Sequence, residues 1–290
     1  MKRILVTGAN GYIGRHVLDA VQNFASEYEL IRTDINNCND KDSNFIVYDI
    51  LKEASDKNLY KKLGNPDIVI HLAWQDGFNH KSISHIANLY SHYLFIKNMI
   101  ESGCLSISVM GSMHEVGYYE GAINEDTPCN PLSLYGIAKN SLREMSFLLA
   151  KENETCSLKW LRGYYIYGDD SRNNSIFTKI KQMASEGKKT FPFTDGLNKY
   201  DFISIENISE QIVKASIQNE IEGIINVCSG MPISLKEQVE NFIKNNNLDI
   251  KPEYGVFPKR AYDSPAIWGD NTKIKEILDL YNKKEMVTKR

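Results

Sequence analysis

Three residues between positions 112 and 139 have the types and spacing of a proton-transfer site. Ser112 follows the apolar run LSISVM, and Tyr135 and Lys139 stand four residues apart in the segment YGIAK. A spacing of four places two side chains on one face of a helix. An ammonium group beside a phenol stabilises the phenolate and lowers its pKa from about 10, so Tyr135 could exchange a proton with a carbonyl or an alcohol near neutral pH.

Ser112 also stands close to a histidine and an acid, a combination that suggests hydrolysis. The segment GSMHEVG places Met113, His114 and Glu115 directly after the serine. A serine nucleophile on an α/β sheet is expected in the motif G-x-S-x-G, which this segment does not contain. We therefore expect Ser112 to orient a reacting carbonyl group and not to attack it.

A glycine-rich loop near the first residue indicates a dinucleotide cofactor. Gly8, Gly11 and Gly14 in TGANGYIG lie between the predicted strand RILVTG and the predicted helix GYIGRHVLDAVQNF. Glycines at such a junction let the backbone turn tightly and approach a pyrophosphate, which rests on the helix N-terminus. A Tyr/Lys pair on a helix is usually a solvated edge, but downstream of this loop it favours catalysis.

Asp34 predicts which dinucleotide is bound. It ends the second predicted strand, YELIRTD, 20 residues after Gly14. A carboxylate at that place accepts hydrogen bonds from the adenosine ribose hydroxyls and repels a 2′-phosphate, which favours NAD over NADP. Arg15 and Arg32 are close in sequence and could offset the repulsion, so NADP remains the alternative.

Apolar runs and helical repeats alternate through the first 168 residues and predict the elements that position these residues. Each predicted strand is a continuous apolar run, which is typical of a parallel sheet covered on both faces. The predicted strands are RILVTG, YELIRTD, NFIVYD, PDIVIHLA, LSISVMGS and CSLKWLRGYYIYG. The fold class is therefore an α/β doubly wound parallel sheet with a smaller, interleaved C-terminal substrate lobe. We expect a dinucleotide-binding domain over 1–168, to which 200–228 returns, and a substrate lobe formed by 169–199 and 229–290.

Composition and charge exclude several classes of partner. The chain has 290 residues with 34 basic and 37 acidic side chains, a net charge of −3 that gives no reason to expect nucleic acid or an anionic membrane. No apolar run reaches transmembrane length. Five cysteines show no CxxC spacing, and the cluster of His80, His85 and His92 has no acidic ligand pattern beside it. We expect a cytoplasmic protein without a metal site.

The order of motifs resembles that of the extended short-chain dehydrogenase/reductases, in the nucleotide-sugar epimerase/dehydratase group. The resemblance runs nearly end to end. The matching segments are TGxxGxxG, HLA (71–73), Ser112, Tyr135-x-x-x-Lys139, LRGYYIYG (161–168), YDFISIEN (200–207), NVCSG (226–230) and PKRAYD (258–263).

The resemblance implies a role for each matching residue. Tyr135 is the acid/base, Lys139 binds the nicotinamide ribose and Ser112 binds the reacting oxygen. The expected cofactor contacts are Gly8, Asn10, Gly11, Tyr12, Ile13, Gly14, Asp34, Asp49, Ile50, Leu72, Ala73, Tyr135 and Lys139. The expected contacts with a nucleotide-diphosphate sugar are His114, Arg162, Tyr164, Arg260 and Asp263, although strand aromatics such as Tyr164 are more often core. The resemblance also implies a homodimer through helices at about 82–102 and 134–151, where Phe95, Leu142 and Leu148 exceed one buried face.

Two departures from the family pattern bear on the reaction. Dehydratases of the group carry Asp-Glu after the catalytic hydroxyl residue, and this chain has Met113 and His114 there, which argues against water elimination. His114 could be a second acid/base group if the strand stays extended past Ser112, but a histidine that packs under the substrate is the favoured interpretation. Tyr200 replaces an arginine that often contacts the nucleotide.

We therefore expect an NAD(P)-dependent oxidoreductase acting on a nucleotide-activated sugar, and specifically a 4-keto-6-deoxyhexose reductase. A 4-epimerase that retains its NAD uses the same three residues and stays open as an alternative. A non-catalytic dinucleotide sensor is the alternative from another class. Such a sensor would not need Ser112, Tyr135 and Lys139 together.

Overall fold

The computed structural model describes residues 1–36, 44–168, 175–258 and 263–288, with side chains up to residue 283. Arg260 lies outside the described residues. The strands are β1 (Lys2–Thr7), β2 (Tyr28–Asp34), β3 (Phe45–Val47), β4 (Ile68–His71), β5 (Ser106–Ser112), β6 (Gly121–Ile123), β7 (Ser157–Gly163), β8 (Tyr165–Tyr167), β9 (Thr190–Pro192), β10 (Lys199–Ser204), β11 (Gly223–Val227), β12 (Pro232–Ser234), β13 (Lys251–Glu253) and β14 (Ala266–Gly269). The helices are α1 (Tyr12–Gln22), α2 (Leu59–Lys62), α3 (Ser84–Ala87), α4 (Leu89–Glu101), α5 (Leu134–Glu152), α6 (Ile176–Ser185), α7 (Ile205–Ile217), α8 (Leu235–Asn245) and α9 (Thr272–Thr288).

A seven-stranded sheet in the order β11-β7-β5-β4-β1-β2-β3 forms the larger part of the molecule. All of its strand pairs are parallel. This arrangement confirms the predicted α/β doubly wound class. The order reverses between β1 and β4, and ligands in such sheets bind outside the carboxyl ends of the strands at this reversal.

Alternating side chains of the central strands enter two separate cores. Ile4 and Val6 of β1 pack with α1, α7 and α9, whereas Leu5 packs with α4 and α5 on the other face. β4 and β5 are buried along their whole length because helices cover both faces. The buried sheet therefore holds the carboxyl ends of its strands, where the candidate residues lie, in a rigid frame.

A second sheet, β12-β10-β14-β6, carries β8 on β10 and borders the site from the other side. The apparent sixth strand of the sequence is thus two strands, because the chain leaves the first sheet after Gly163 and Tyr165 pairs with Phe202. The strand pairing crosses the expected boundaries: β6 and β8, within 1–168, and β10, most of which lies within 200–228, belong to the second sheet. β11, also within 200–228, belongs to the first sheet, as expected. The helix α9, expected in the substrate lobe, packs on α7 and β11.

Two predicted helices are shorter than expected. The helical repeat at 82–102 is divided at Asn88, whose side chain donates a hydrogen bond to Gln75 at 3.0 Å. In the segment 51–64 only α2 is helical, because carboxylates hold the preceding turns: Asp49 accepts from the N–H of Lys52, and Asp56 from that of Asn58. No helix among the described residues is long and apolar enough to cross a membrane.

Candidate active site

At two glycines of the loop between β1 and α1, the neighbouring backbone leaves no room for a side chain. Gly8 has φ +67°, and a Cβ there would lie 2.7 Å from the amide nitrogen of Ala73. A Cβ on Gly14 would overlap the carbonyl oxygen of Gly8 and lie 2.9 Å from that of Ala9. The first turn of α1 therefore approaches the loop closely, with Asn10, Tyr12 and Ile13 in the cavity wall. This cradle fits a pyrophosphate on the N-terminus of α1.

Asp34 lies at the carboxyl end of β2, beside the loop. Its two oxygens accept hydrogen bonds from the backbone N–H of Asn10 at 2.9 Å and of Ile35 at 2.7 Å. Arg15 turns its guanidinium to the carbonyl oxygen of Asn10 at 3.2 Å. The carboxylate faces the same cavity as the loop, so the site has an acceptor group for ribose hydroxyls.

The remaining expected cofactor residues surround the same cavity. Asp49 and Ile50 follow β3, and Leu72 and Ala73 follow β4. The backbone N–H groups of Leu72 and Ala73 are hydrogen-bonded to the Thr7 hydroxyl at 3.2 and 3.3 Å, which ties the ends of β4 and β1 together. The structure thus brings together every described residue that was expected to contact the dinucleotide.

Ser112, Tyr135 and Lys139 meet at the carboxyl end of β5. Ser133 caps α5 by accepting the N–H of Gly136 at 3.1 Å, so the helix begins at Leu134, one residue before Tyr135. The Lys139 ammonium donates to the carbonyl oxygen of Met110 at 2.7 Å. It also lies 3.6 Å from the centroid of the Trp74 ring, a cation–π contact. The helix therefore presents its acid/base face directly to the end of β5.

Burial sets the protonation of this group. It raises the pKa of Tyr135 to about 12, against the effect of the Ser112 hydrogen bond, which lowers it. It lowers the pKa of Lys139 to about 7, against the negative charge of Glu115. The pKa of Tyr135 is therefore raised and not lowered as expected, because the loss of water around the buried phenol is the largest effect on it.

His114 lies beside Tyr135 but not on an extended strand. β5 ends at Ser112, and residues 113–115 form a 3₁₀ turn. The His114 ring packs edge-on against His80, with centroids 4.3 Å apart, and lies 6.1 Å from the Tyr135 ring. Burial lowers the pKa of His114 to about 3, with a further contribution from His80. The imidazole is therefore neutral near pH 7 and forms part of the cavity wall.

The expected substrate residues have different environments. Tyr164 and Asp263 line the cavity, and the Tyr164 hydroxyl donates to the side chain of Asn226 at 3.1 Å. Arg162 is fully buried, and its Nε lies 3.4 Å from a carboxylate oxygen of Glu115. The assignment of Arg162 to the substrate is therefore corrected: the side chain lies behind the catalytic turn, where the carboxylate offsets its charge.

A single cavity of about 2010 Å³ joins the glycine loop to the catalytic group and continues between the two sheets. Sequence reasoning missed several residues of its walls: Trp74, His80, Phe193 and Phe202. Trp74 follows the HLA segment directly, so its place at a strand end could have been inferred. His80 reaches the site from a loop, where its ring stacks on Tyr135 with centroids 4.8 Å apart, and no sequence pattern marks it. No metal-binding cluster occurs among the described residues.

These features define a class, the dinucleotide-dependent oxidoreductases that hold a Ser–Tyr–Lys group at the carboxyl end of the sheet. The comparisons with known proteins are consistent with it. The NAD dependent epimerase/dehydratase family matches residues 4–228. A dTDP-6-deoxy-L-talose 4-dehydrogenase (NAD(+)) of Aggregatibacter actinomycetemcomitans is 46% identical over 92% of this chain and 98% of its own length. The chain belongs to the NAD-dependent epimerase/dehydratase family.

Relatives of lower sequence identity are named for different reactions. The dTDP-4-dehydro-6-deoxyglucose reductase of Escherichia coli is 26% identical over 82% of this chain and 79% of its own length. Among solved structures, a UDP-glucuronic acid 4-epimerase of Bacillus cereus in complex with NAD superposes with a TM-score of 0.77. That structure is 24% identical and covers 96% of this chain and 93% of its own, which supports the fold.

Proposed function

We propose that this chain is an NAD-dependent 4-ketoreductase of a dTDP-linked 6-deoxyhexose, interconverting dTDP-6-deoxy-L-talose and its 4-keto form. The observation that carries the proposal is the intact Ser112–Tyr135–Lys139 group in one cavity with the dinucleotide cradle. The chain that holds this group is 46% identical, over almost the whole relative, to a protein named for oxidation at C4 of that sugar. The family resemblance alone would leave the sugar undetermined.

The residues of the site divide the work of reduction. Bound NADH would supply a hydride to C4. The C4 oxygen then gains a proton from the Tyr135 hydroxyl, so ketone, hydride and proton together give the alcohol. Ser112 donates a hydrogen bond to the same oxygen and orients it. The Lys139 ammonium stabilises the phenolate that Tyr135 becomes, and solvent protons restore the phenol.

The walls next to Tyr135 suit a sugar without a hydroxyl at C6. The rings of His114, Tyr165 and Tyr200 lie in this part of the cavity, and Tyr165 and Tyr200 contact each other with centroids 4.6 Å apart. Aromatic faces of this kind can pack against a C6 methyl group, which requires no hydrogen-bond partner. We propose that Tyr164 and Asp263, at the same end, contact the sugar nucleotide.

A reversible assay tests the proposal directly. Wild-type protein with NAD⁺ and dTDP-6-deoxy-L-talose should produce NADH, seen as absorbance at the reduced nicotinamide band. Tyr135→Phe is the matched control, because it removes the proton-transfer hydroxyl and retains the stacked ring. No NADH from this sugar, together with NADH from another nucleotide sugar in a panel, would contradict the assignment of the substrate.

A 4-epimerase is the second candidate, because relatives with that activity in their names match most of the chain. A UDP-arabinose 4-epimerase 1 of Arabidopsis thaliana is 23% identical over 95% of this chain. An epimerase returns the hydride to the opposite face, so it consumes no cofactor and keeps NAD bound through purification. Net NADH production in the assay separates the two candidates.

We propose that His114 packs against the substrate and is not a second acid/base group. A neutral, buried imidazole packed edge-on against His80 supports a packing role. In deuterated water, a 4-ketosugar should then gain no deuterium at C3 or C5. Deuterium uptake that disappears in His114→Asn would show that His114 moves protons at a neighbouring carbon.

We also propose a homodimer in a reducing, cytoplasmic compartment. The four described cysteines are free thiols. The outer faces of α4 and α5 expose Tyr90 (67%) and Leu148 (61%), whereas Phe95 and Leu142, expected on those faces, lie in the core. Light scattering should give a dimer mass for wild type and a lower mass for Leu148→Glu. A monomer of wild type at micromolar concentration would contradict the dimer.

A further inference from the structure

A buried carboxylate lies directly behind the catalytic serine. Glu115 is 0% exposed, and its Oε1 accepts the backbone N–H of Ser112 at 2.6 Å and the indole N–H of Trp160 at 2.9 Å. Burying an ionised carboxylate is costly unless hydrogen bonds and an opposite charge compensate it. An apolar side chain could fill the same volume without this cost, so the carboxylate of Glu115 is expected to have a specific role.

The opposite charge is supplied from β7. Arg162 is also 0% exposed, and its Nε lies 3.4 Å from Oε2 of Glu115, while its Nη1 donates to the carbonyl oxygen of Asn124 at 3.0 Å. Gly111 makes room for the group: a Cβ there would overlap the indole nitrogen of Trp160 and lie 2.8 Å from Glu115 Oε1. Four residues therefore fit together as one group behind Ser112: Gly111 on β5, Glu115 in the following turn, and Trp160 and Arg162 on β7.

Within this group, Glu115 fixes the carboxyl end of β5 through Ser112. The Ser112 hydroxyl oxygen accepts the N–H of His114 at 3.3 Å, so Ser112 and Glu115 cap the turn reciprocally. That hydrogen bond occupies a lone pair of the hydroxyl oxygen and leaves its proton to donate into the site. Two residues earlier, the Met110 carbonyl oxygen receives the Lys139 ammonium. A shift of this strand end would therefore move Ser112 and Lys139 together.

Glu115 also acts electrostatically on Lys139, because the other described titratable groups near that ammonium carry no charge near pH 7. His71 on β4 and His92 on α4 face Lys139, and burial keeps the pKa of each imidazole low, so neither adds charge near pH 7. Tyr135 on the same helix is a phenol with a raised pKa. Among the described residues, Glu115 is the negative group that raises the pKa of the Lys139 ammonium.

We propose that Glu115 is a positioning residue of the ketoreductase: its carboxylate fixes the backbone and hydroxyl of Ser112 and places a buried negative charge at the strand end that binds the Lys139 ammonium. This role rests on the proposed function in one respect: the predicted loss of kcat requires that the protein reduces a ketosugar. Glu115 acts through Ser112 and Lys139, and it lies outside the residues that line the substrate cavity.

Two substitutions of Glu115 separate the effect of its side-chain length from the effect of its charge. Glu115→Gln removes the charge and retains an oxygen that can accept the Ser112 N–H. Glu115→Asp retains the charge on a shorter side chain, which withdraws from that N–H. We expect both variants to lower kcat on the order of 10- to 100-fold, with the KM for the sugar nucleotide and the affinity for NADH within about threefold of wild type.

A titration without substrate tests the electrostatic effect by itself. The Trp74 ring lies against the Lys139 ammonium, so the part of its pH-dependent fluorescence change that is lost in Lys139→Met reports the charge of Lys139. The midpoint should lie near pH 7 in wild type, the pKa of Lys139. It should fall by about one pH unit in Glu115→Gln, because an attractive charge is removed, and stay in place in Glu115→Asp.

Trp160→Phe is the matched control, because it removes a donor to Glu115 and leaves the carboxylate and the Ser112 N–H in place. We expect lower thermal stability, an unchanged midpoint and a kcat within about threefold of wild type. An equal loss of kcat in Trp160→Phe, or an unmoved midpoint in Glu115→Gln, overturns the proposal. If Glu115→Gln does not fold, a wild-type kcat in Glu115→Asp overturns it, and a reduced kcat with the midpoint in place supports it. If wild type reduces no ketosugar, the proposed function fails, and the titration still decides the effect on Lys139.

Discussion

Gly14→Ala tests whether the glycine loop is the dinucleotide cradle. The new methyl group would overlap the Gly8 carbonyl oxygen and lie 2.9 Å from that of Ala9, whereas real Cβ contacts essentially never fall under 3.0 Å. Both obstacles are backbone atoms and cannot rotate away, so the N-terminus of α1 must move away from the loop. Overpacking of this kind costs about 1–3 kcal/mol, which lowers Tm by roughly 2–12 °C at about 2–4 °C per kcal/mol.

The same displacement withdraws the N–H groups of α1 from a bound pyrophosphate. We expect the affinity for NADH to fall at least tenfold, about 1.4 kcal/mol, measured by the fluorescence of bound NADH, with Tm from thermal unfolding. Gly77→Ala is the control for stability, because no atom lies within 4 Å of a Cβ at that position. Its Tm should stay at the wild-type value. Wild-type NADH affinity and Tm in Gly14→Ala would refute the proposed cradle.

Three further predictions concern chemistry, cofactor and stability. Tyr135→Phe should lower kcat on the order of 100-fold or more with NADH affinity unchanged, and turnover within a few-fold of wild type would remove Tyr135 from the mechanism. Asp34→Ser should shift the kcat/KM preference from NADH toward NADPH, and a wild type that already prefers NADPH would contradict the role of Asp34. Because His71 and His114 have pKa values lowered to about 3, the unfolded state binds more protons between pH 6.5 and 3. The free energy of unfolding, measured in urea, should therefore decrease as the pH is lowered across this window, by up to about 1.4 kcal/mol per pH unit and group. His71→Asn should make this pH dependence less steep.

The parts of the site that depend on local sequence could be predicted. The glycines of the loop, Asp34 at the end of a strand and the spacing of Tyr135 and Lys139 each follow from one element and its register. The buried apolar runs likewise predicted a parallel sheet, and the order β11-β7-β5-β4-β1-β2-β3 confirms it. The family expected from the motifs is confirmed by the match over residues 4–228.

Features that depend on distant partners could not be predicted. The family resemblance implied that Arg162 binds substrate, but the buried Glu115 pairs with it inside the protein. The pKa of Tyr135 is raised because the desolvation of a buried phenol depends on packing that no pair spacing reveals. His80 reaches Tyr135 through a loop whose course is set by tertiary contacts.

Reduction with NADH that carries deuterium at the transferable position tests the central claim most directly. Wild-type protein is incubated with the 4-keto form of a dTDP-6-deoxyhexose, and the sugar product is analysed by mass spectrometry and NMR. The account predicts one NADH oxidised for each sugar formed, one deuterium bound to C4 and none at C3 or C5. Conversion of the sugar with no net oxidation of NADH, or deuterium at a carbon other than C4, would contradict a 4-ketoreductase.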